Sequence, residues 1–194
     1  MIPKRLYLNI HYGDIHTKFK TQFDITQENV PYVNDNVDLS KVKKEDYCRE
    51  GDLIIADASE DYKDVGKAME IIDLHGQKLI SGLHTYIARD KSNHMALGFK
   101  GYLMQTRDVR LQVMKMATGI SVLGISKRNL EKVQFNLPCN QEQQKIATFL
   151  TSIDKKTGLV QTQLGQTQNF KKGLLQQMFV WANSAKREKN LHLH

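Results

Sequence analysis

From Pro138 onward the chain is written as a single long helix. Pro138-Cys139-Asn140 leads into Gln141-Glu142-Gln143-Gln144, and Asn140 with Gln143 at the third following position is a capping-box pattern. From there Ile146, Leu150, Ile153, Thr157, Val160, Leu164, Thr167, Lys171, Leu174 and Met178 recur at alternating spacings of four and three. Most of those positions are apolar, which is a coiled-coil seam with a few polar breaks. A helix over 140 to about 180 would be roughly 60 Å long. A seam of that length calls for a second helix against Ile146, Leu150, Ile153, Val160, Leu164, Leu174 and Met178. Gly158, Gly165 and Gly173 follow near the same rhythm. Each costs a helix interior about 1 kcal/mol against alanine. They either let a second helix approach closely or lie on a solvent face.

With 194 residues, 40% hydrophobic and 25% charged, the chain has room for one good core plus this helix. No apolar run approaches the ~18 residues of a membrane span, and the N-terminus lacks the apolar stretch of a signal peptide. Cys48 and Cys139 lie far apart without metal-ligand spacing, so free thiols in a reducing cytoplasm are expected. The net charge of +7 is unevenly spread: residues 21–66 sum to −7, the first twenty to +3 and residues 67–194 to +11. Basic segments split by an acidic one suggest a polyanion-facing side and a separate partner side, with nucleic acid the first candidate polyanion.

Residues 1–137 read as mixed α/β. Strands are expected over 52–56, 68–72, 78–81, 85–88 and 98–104, with 68–72 and 78–81 joined around His75-Gly76 and a helix over 108 to about 117. Short strands in quick succession argue for a compact, sheet-rich α/β (α+β) domain over 1–138. The long helix follows over 139–182, then a polar tail over 183–194. Four segments, 14–20, 58–67, 88–95 and 117–126, read as loops with polar tips. Their cations suit phosphates, and their amides, hydroxyls and Arg forks suit base edges. Lys18, Lys20, Lys63, Lys67, Arg89, Lys91, Arg107 and Lys115 are the candidates for phosphate or base contact. Ser59, Tyr62, Asn93, Thr118 and Ser121 are the candidates for base or sugar.

Enzymatic signatures are weak. Asp52 with Asp61-Tyr62-Lys63 has the layout of a metal-dependent nuclease, though the triplet sits in a polar stretch instead of an apolar strand. His11 with His16, and His192 with His194, lack the further ligands of a metal site. Ser59, Ser81 and Ser121 have no nucleophile-elbow context, and Gly119 and Gly124 make no phosphate-binding loop.

Taken in order, the motifs resemble the specificity subunit of type I restriction–modification systems. They are Tyr12-Gly13-Asp14-Ile15, Gly51-Asp52-Leu53-Ile54-Ile55 with Val65-Gly66-Lys67, then Ser81-Gly82-Leu83-His84. Thr118-Gly119-Ile120 with Gly124-Ile125-Ser126 follows, then Val133-Gln134-Phe135-Asn136-Leu137-Pro138. Glu142-Gln143-Gln144-Lys145-Ile146-Ala147, Ile153-Asp154 and Lys171-Lys172-Gly173-Leu174-Leu175-Gln176-Gln177-Met178-Phe179 complete the set. The resemblance implies a non-catalytic subunit in which two recognition domains, held apart by paired antiparallel helices, each read half of a split DNA site. It implies methyltransferase subunits that use S-adenosylmethionine, with no cofactor on this chain, and restriction subunits engaged indirectly. Docking of the methyltransferase on the helix and on residues 137–146 is expected from the same resemblance. This chain carries one recognition domain and one helix, like a half-length form. Its orphan seam therefore predicts a homodimer reading an inverted repeat. The alternatives are a homodimeric DNA-binding regulator with no methylase partner, a purely structural protein, and the nuclease built on Asp52, Asp61 and Lys63.

Overall fold

The computed structural model describes residues 7–34 and 36–191. In chain order it runs strand β1 (Tyr7–Ile10), helix α1 (Tyr12–Thr17), β2 (Gln22–Asp24), β3 (Leu53–Ala56), β4 (Ala58–Ser59), β5 (Ala68–Asp73), β6 (Lys78–Ser81) and β7 (Thr85–Ala88). Then come α2 (Phe99–Gln105), α3 (Arg107–Met116), β8 (Leu123–Gly124), α4 (Lys127–Leu130) and α5 (Asn140–Leu191). The fold is mixed α/β with short strands, followed by the long helix. Two compact units are distinguished, Met1–Thr151 and Ser152–His194.

The unbroken apolar run Leu53-Ile54-Ile55-Ala56 becomes an inner strand because a core lies on each of its faces. Strand periodicity sends Ile54 to one side, against Ile10, Ile15, Phe23, Met69, Ile71 and Leu79. Leu53 and Ile55 point to the other, against Val65, Met104, Val109, Val113 and Ile125. The four-stranded sheet is ordered β2-β5-β3-β7. Within it β3 is antiparallel to both neighbours, with Ile54 opposite Met69 and Ile87, while β2 runs parallel to β5. The turn at His75-Gly76 does join β5 to β6, yet the two strands do not pair. β6 leaves that sheet to run parallel to β1, and β4 pairs antiparallel with β8.

Three local expectations are corrected. Residues 98–104 are not a strand: Phe99–Gln105 is helical. The cause is Glu70 on β5, fully buried, whose carboxylate accepts the N–H groups of Gly98 and Gly101 at 2.9 Å each and the Lys100 ammonium at 3.2 Å. A buried carboxylate on the unpaired amides of a first turn stabilises a helix there. Residues 14–20 are not all loop either. α1 occupies most of that stretch and is capped by His11, whose Nδ1 accepts the Gly13 N–H at 3.2 Å. Finally, Gln143 does not close a capping box. Glu142 reaches back to the Cys139 N–H at 3.2 Å, and Gln143 turns into the domain.

The first three turns of α5 belong to the domain's core. Ala147 packs with Ala96 and Phe99, and the Tyr102 and Thr151 hydroxyls lie 3.2 Å apart. The helix runs on to Leu191, past the end expected near residue 180, because the Ala-, Lys- and Glu-bearing tail contains good helix formers and neither Pro nor Gly. His192 and His194, a pair considered as metal ligands, lie outside the described residues. Of the seam positions, Leu150 is half-buried and Ile146, Ile153, Val160, Leu164, Leu174 and Met178 are exposed. Open space surrounds Gly158, Gly165 and Gly173. Among the described residues no helix is long and apolar enough to cross a membrane.

Candidate nucleic-acid interface

Three of the four contact-capable segments are tied together by side chains that reach for backbone carbonyls. Lys67 Nζ donates to the His16 carbonyl at 2.7 Å, joining segment 58–67 to α1. Arg110 on α3 donates from Nη2 to the carbonyls of Lys63 (2.7 Å) and Val65 (2.8 Å). The Tyr62 hydroxyl donates to the Met114 carbonyl at 2.6 Å, and β4–β8 pairing brings segment 117–126 alongside. The close fit depends on Gly66, at φ 68°, where a Cβ would collide with the Val113 side chain.

Lys18, Lys20, Tyr62, Lys63, Lys115, Thr118 and Ser121 stand exposed on these three segments or on the adjoining end of α3, and Lys67 is half-exposed. Lys18 is paired with Asp14 at 2.5 Å, and Lys67 lies 3.6 Å from Asp64. Lys63 and Lys115 form no ion pair among the described residues. Ser59 is buried, and its hydroxyl accepts the Asp61 N–H at 3.0 Å, so it shapes the loop from within. Arg107 is exposed at the first turn of α3.

The fourth segment, 88–95, is built around other contacts. Arg89 grips buried Asp52 with two hydrogen bonds, 2.8 Å from Nε and 2.6 Å from Nη2, and Nη2 also donates to the Tyr47 carbonyl at 2.9 Å. Its guanidinium pKa is raised chiefly by the bond to Asp52, against the effect of burial. Asp90 accepts the N–H groups of Ser92 (3.0 Å) and Met95 (2.9 Å), shaping a turn whose exposed tip carries Lys91 and Asn93. Lys91 and Asn93 line a 390 Å³ pocket with Arg49, Arg89 and Lys100.

The nuclease constellation does not assemble. Asp52 is committed to Arg89 and to the Arg49 N–H (2.8 Å), while Asp61 caps the Lys63 N–H at 2.8 Å beyond the far end of β3 and β4. Among the described residues no three His, Cys, Asp or Glu side chains stand together as a metal site.

Several participants were invisible to pattern. Tyr12 gathers three imidazoles, with ring centroids of His11 at 4.4 Å, His84 at 5.6 Å and His16 at 5.7 Å. His84 in turn places Nδ1 3.1 Å from an Asp57 carboxylate oxygen. Burial holds the His16 imidazole below its ordinary pKa, opposed by Asp64 and Glu60 and reinforced by Lys67 and Arg110. Burial likewise lowers Arg110, with Asp64 opposing. In sequence Tyr12 and His84 appeared only within motifs, and His11 with His16 only as an incomplete metal pair; nothing there signalled the ring packing.

Polar loops carried on a rigid mixed sheet, with basic side chains at their tips, define a macromolecular-recognition domain. Residues 13–167 match the family model described as the type I restriction modification DNA specificity domain. That span covers most of the chain, which therefore belongs to this family. DNA-sequence recognition within type I restriction–modification systems is thus its role. No curated protein is similar enough to count as a match.

Proposed function

We propose that this chain reads one half of a split duplex DNA site and pairs through α5 with a second copy of itself, so that two domains read an inverted repeat. The observation that carries the pairing is the run of exposed apolar positions Ile153, Val160, Leu164, Leu174 and Met178, repeating at helical spacing along α5. Solitary apolar groups on a surface are ordinary, but a sustained stripe marks an interaction face. Bound in pairs, the helices would set the distance between half-sites. A type I methyltransferase subunit, carrying S-adenosylmethionine, would dock on the helix and on residues 137–146, and the restriction subunit would act through it. The chain itself contributes recognition and spacing, in the cytoplasm, and no cofactor.

Light scattering over a range of concentrations tests the pairing. The expected mass is near twice 22.3 kDa. Leu164→Glu should halve it while the domain stays folded, because Leu164 lies outside the domain's compact unit. A wild-type monomer at all concentrations would refute self-pairing. Co-purification with the methyltransferase, and adenine methylation of a symmetric split site, test the larger assembly. DNA binding without either would mark the chain as a regulator.

A further inference from the structure

We infer that the hairpin at Thr118–Gly124 is the element that enters the DNA major groove, with Ile120 reading the C5-methyl group of a thymine. This deepens the DNA-recognition reading and rests on it. The hairpin is held rigidly. Thr118 and Gly124 exchange backbone hydrogen bonds of 2.9 and 2.7 Å, and Gly124 also pairs with Ala58 of β4. Gly119 sits at φ 137°, where a Cβ would run into the Val122 carbonyl, so the turn admits no other residue without change. At its tip Ile120 is 101% exposed and Val122 53% exposed, flanked by the hydroxyls of Thr118 and Ser121.

An isoleucine standing clear of its own fold has lost nothing by folding and gains only when something covers it. The surroundings indicate what that is. Lys63, Lys115, Lys127 and Arg128 lie on the segments that meet or adjoin the hairpin, are exposed, and form no ion pair among the described residues. On the same segments the exposed carboxylates of Glu60, Asp61, Asp108 and Glu131 oppose them, with Arg107 and Lys132 as further exposed cations, so exposed cations outnumber exposed carboxylates six to four. This balance favours a polyanion. A short loop closed by the single Thr118–Gly124 bridge and projecting its apolar tip can enter the major groove, which is about 12 Å wide, more readily than the minor groove at about 6 Å. An aliphatic side chain offers no hydrogen bond, and the one apolar group on the major-groove edges is the thymine methyl. Thr118 and Ser121 would bond to neighbouring base edges.

The test uses the full chain with its methyltransferase subunit and a randomised duplex pool, for wild type, Ile120→Ala and Lys115→Ala. Wild type should select a defined sequence containing a thymine whose replacement by deoxyuridine weakens binding about fourfold, the worth of one buried methyl. Ile120→Ala should lose that sensitivity and accept other base pairs at that position, with its circular dichroism and salt dependence unchanged. Lys115→Ala should weaken all sequences alike and flatten the salt slope. If wild type selects a site but no deoxyuridine substitution distinguishes it from Ile120→Ala, the methyl contact is refuted while DNA recognition stands. If Ile120→Ala keeps the full sequence preference but releases the methyltransferase, the tip is a protein-docking surface and the inference fails. No selection by wild type would overturn both readings together.

Discussion

The side-chain oxygen of Gln143, on the first turn of α5, accepts the backbone N–H of Ala96 at 2.9 Å in a fully buried position. Its amide nitrogen donates to the carbonyls of Pro138 (3.0 Å) and His94 (3.2 Å). One side chain thus joins the helix, the segment before it and the turn that ends loop 88–95.

Gln143→Ala should cost about 1–3 kcal/mol, since it leaves the buried Ala96 N–H without a partner and removes the bonds to two part-buried carbonyls. Urea unfolding measures the loss, and hydrogen exchange should rise first at Ala96. A change under 0.5 kcal/mol would show that the joint is carried by Ala147 and Phe99 instead.

The Arg89–Asp52 pair separates support from contact within one loop. Arg89→Ala strands a carboxylate that is 1% exposed and should destabilise the fold by about 3–5 kcal/mol. Lys91→Ala, two residues on and fully at the surface, should change stability by less than about 0.5 kcal/mol. Denaturant midpoints of the two variants give the comparison. Equal midpoints would mean that Arg89 is dispensable to the fold and available to DNA.

Burial, with the Asp52 carboxylate adding to it, pushes the Cys48 thiol up to about 12. Since the thiolate is the reactive form, Cys48 should be inert at pH 8 in the native protein. A thiol reagent should modify one cysteine per chain, the exposed Cys139, and two in urea. Native modification of both would contradict the packing around β1, β3 and β6.

His16 makes stability depend on pH. Its folded-state pKa lies below the ordinary 6.5, so the unfolded chain takes up a proton first as pH falls. The stability it contributes is present above about pH 6.5 and is lost as pH falls through the folded pKa. His16→Gln should therefore flatten the decline in urea midpoint between pH 7.5 and 5.5. The carboxylates of Asp24 and Asp90, with depressed pKa values, titrate below that window, while Glu28, raised by burial, shifts towards it in wild type and variant alike, so the difference between them isolates His16. An identical slope in wild type and variant would refute the assignment.

Much of the architecture was legible because it is periodic or local. The long helix follows from a repeat sustained over ten positions, and β3, β5, β6, β7 and α3 follow from short apolar patterns between turn residues. Apart from α1, which a local His11 cap supports, the failures came where a distant group overrode the local signal. Residues 98–104 read as a short apolar strand, but Glu70, 28 residues before Gly98, supplies the carboxylate that caps a helix. Asn140 and Gln143 have capping-box spacing, but Gln143 finds partners as far back as His94 and does not turn to its own helix end.

The candidate interface divides the same way. Composition and motif order determined that this is a basic recognition domain followed by a long helix, because charge balance and helical periodicity are sums over neighbours in the chain. Only tertiary structure decided which cations support the fold and which face solvent. Arg89 and Lys67 read as phosphate ligands until Asp52 stands across from one and the His16 carbonyl from the other. Conversely Ile120, an apolar residue inside the polar-tipped segment 117–126, is not a contact candidate in sequence, and only the hairpin leaves it in water. The free energy of a side chain depends on what lies within a few ångströms of it, and for these residues the strand pairings and long-range contacts alone bring those neighbours there.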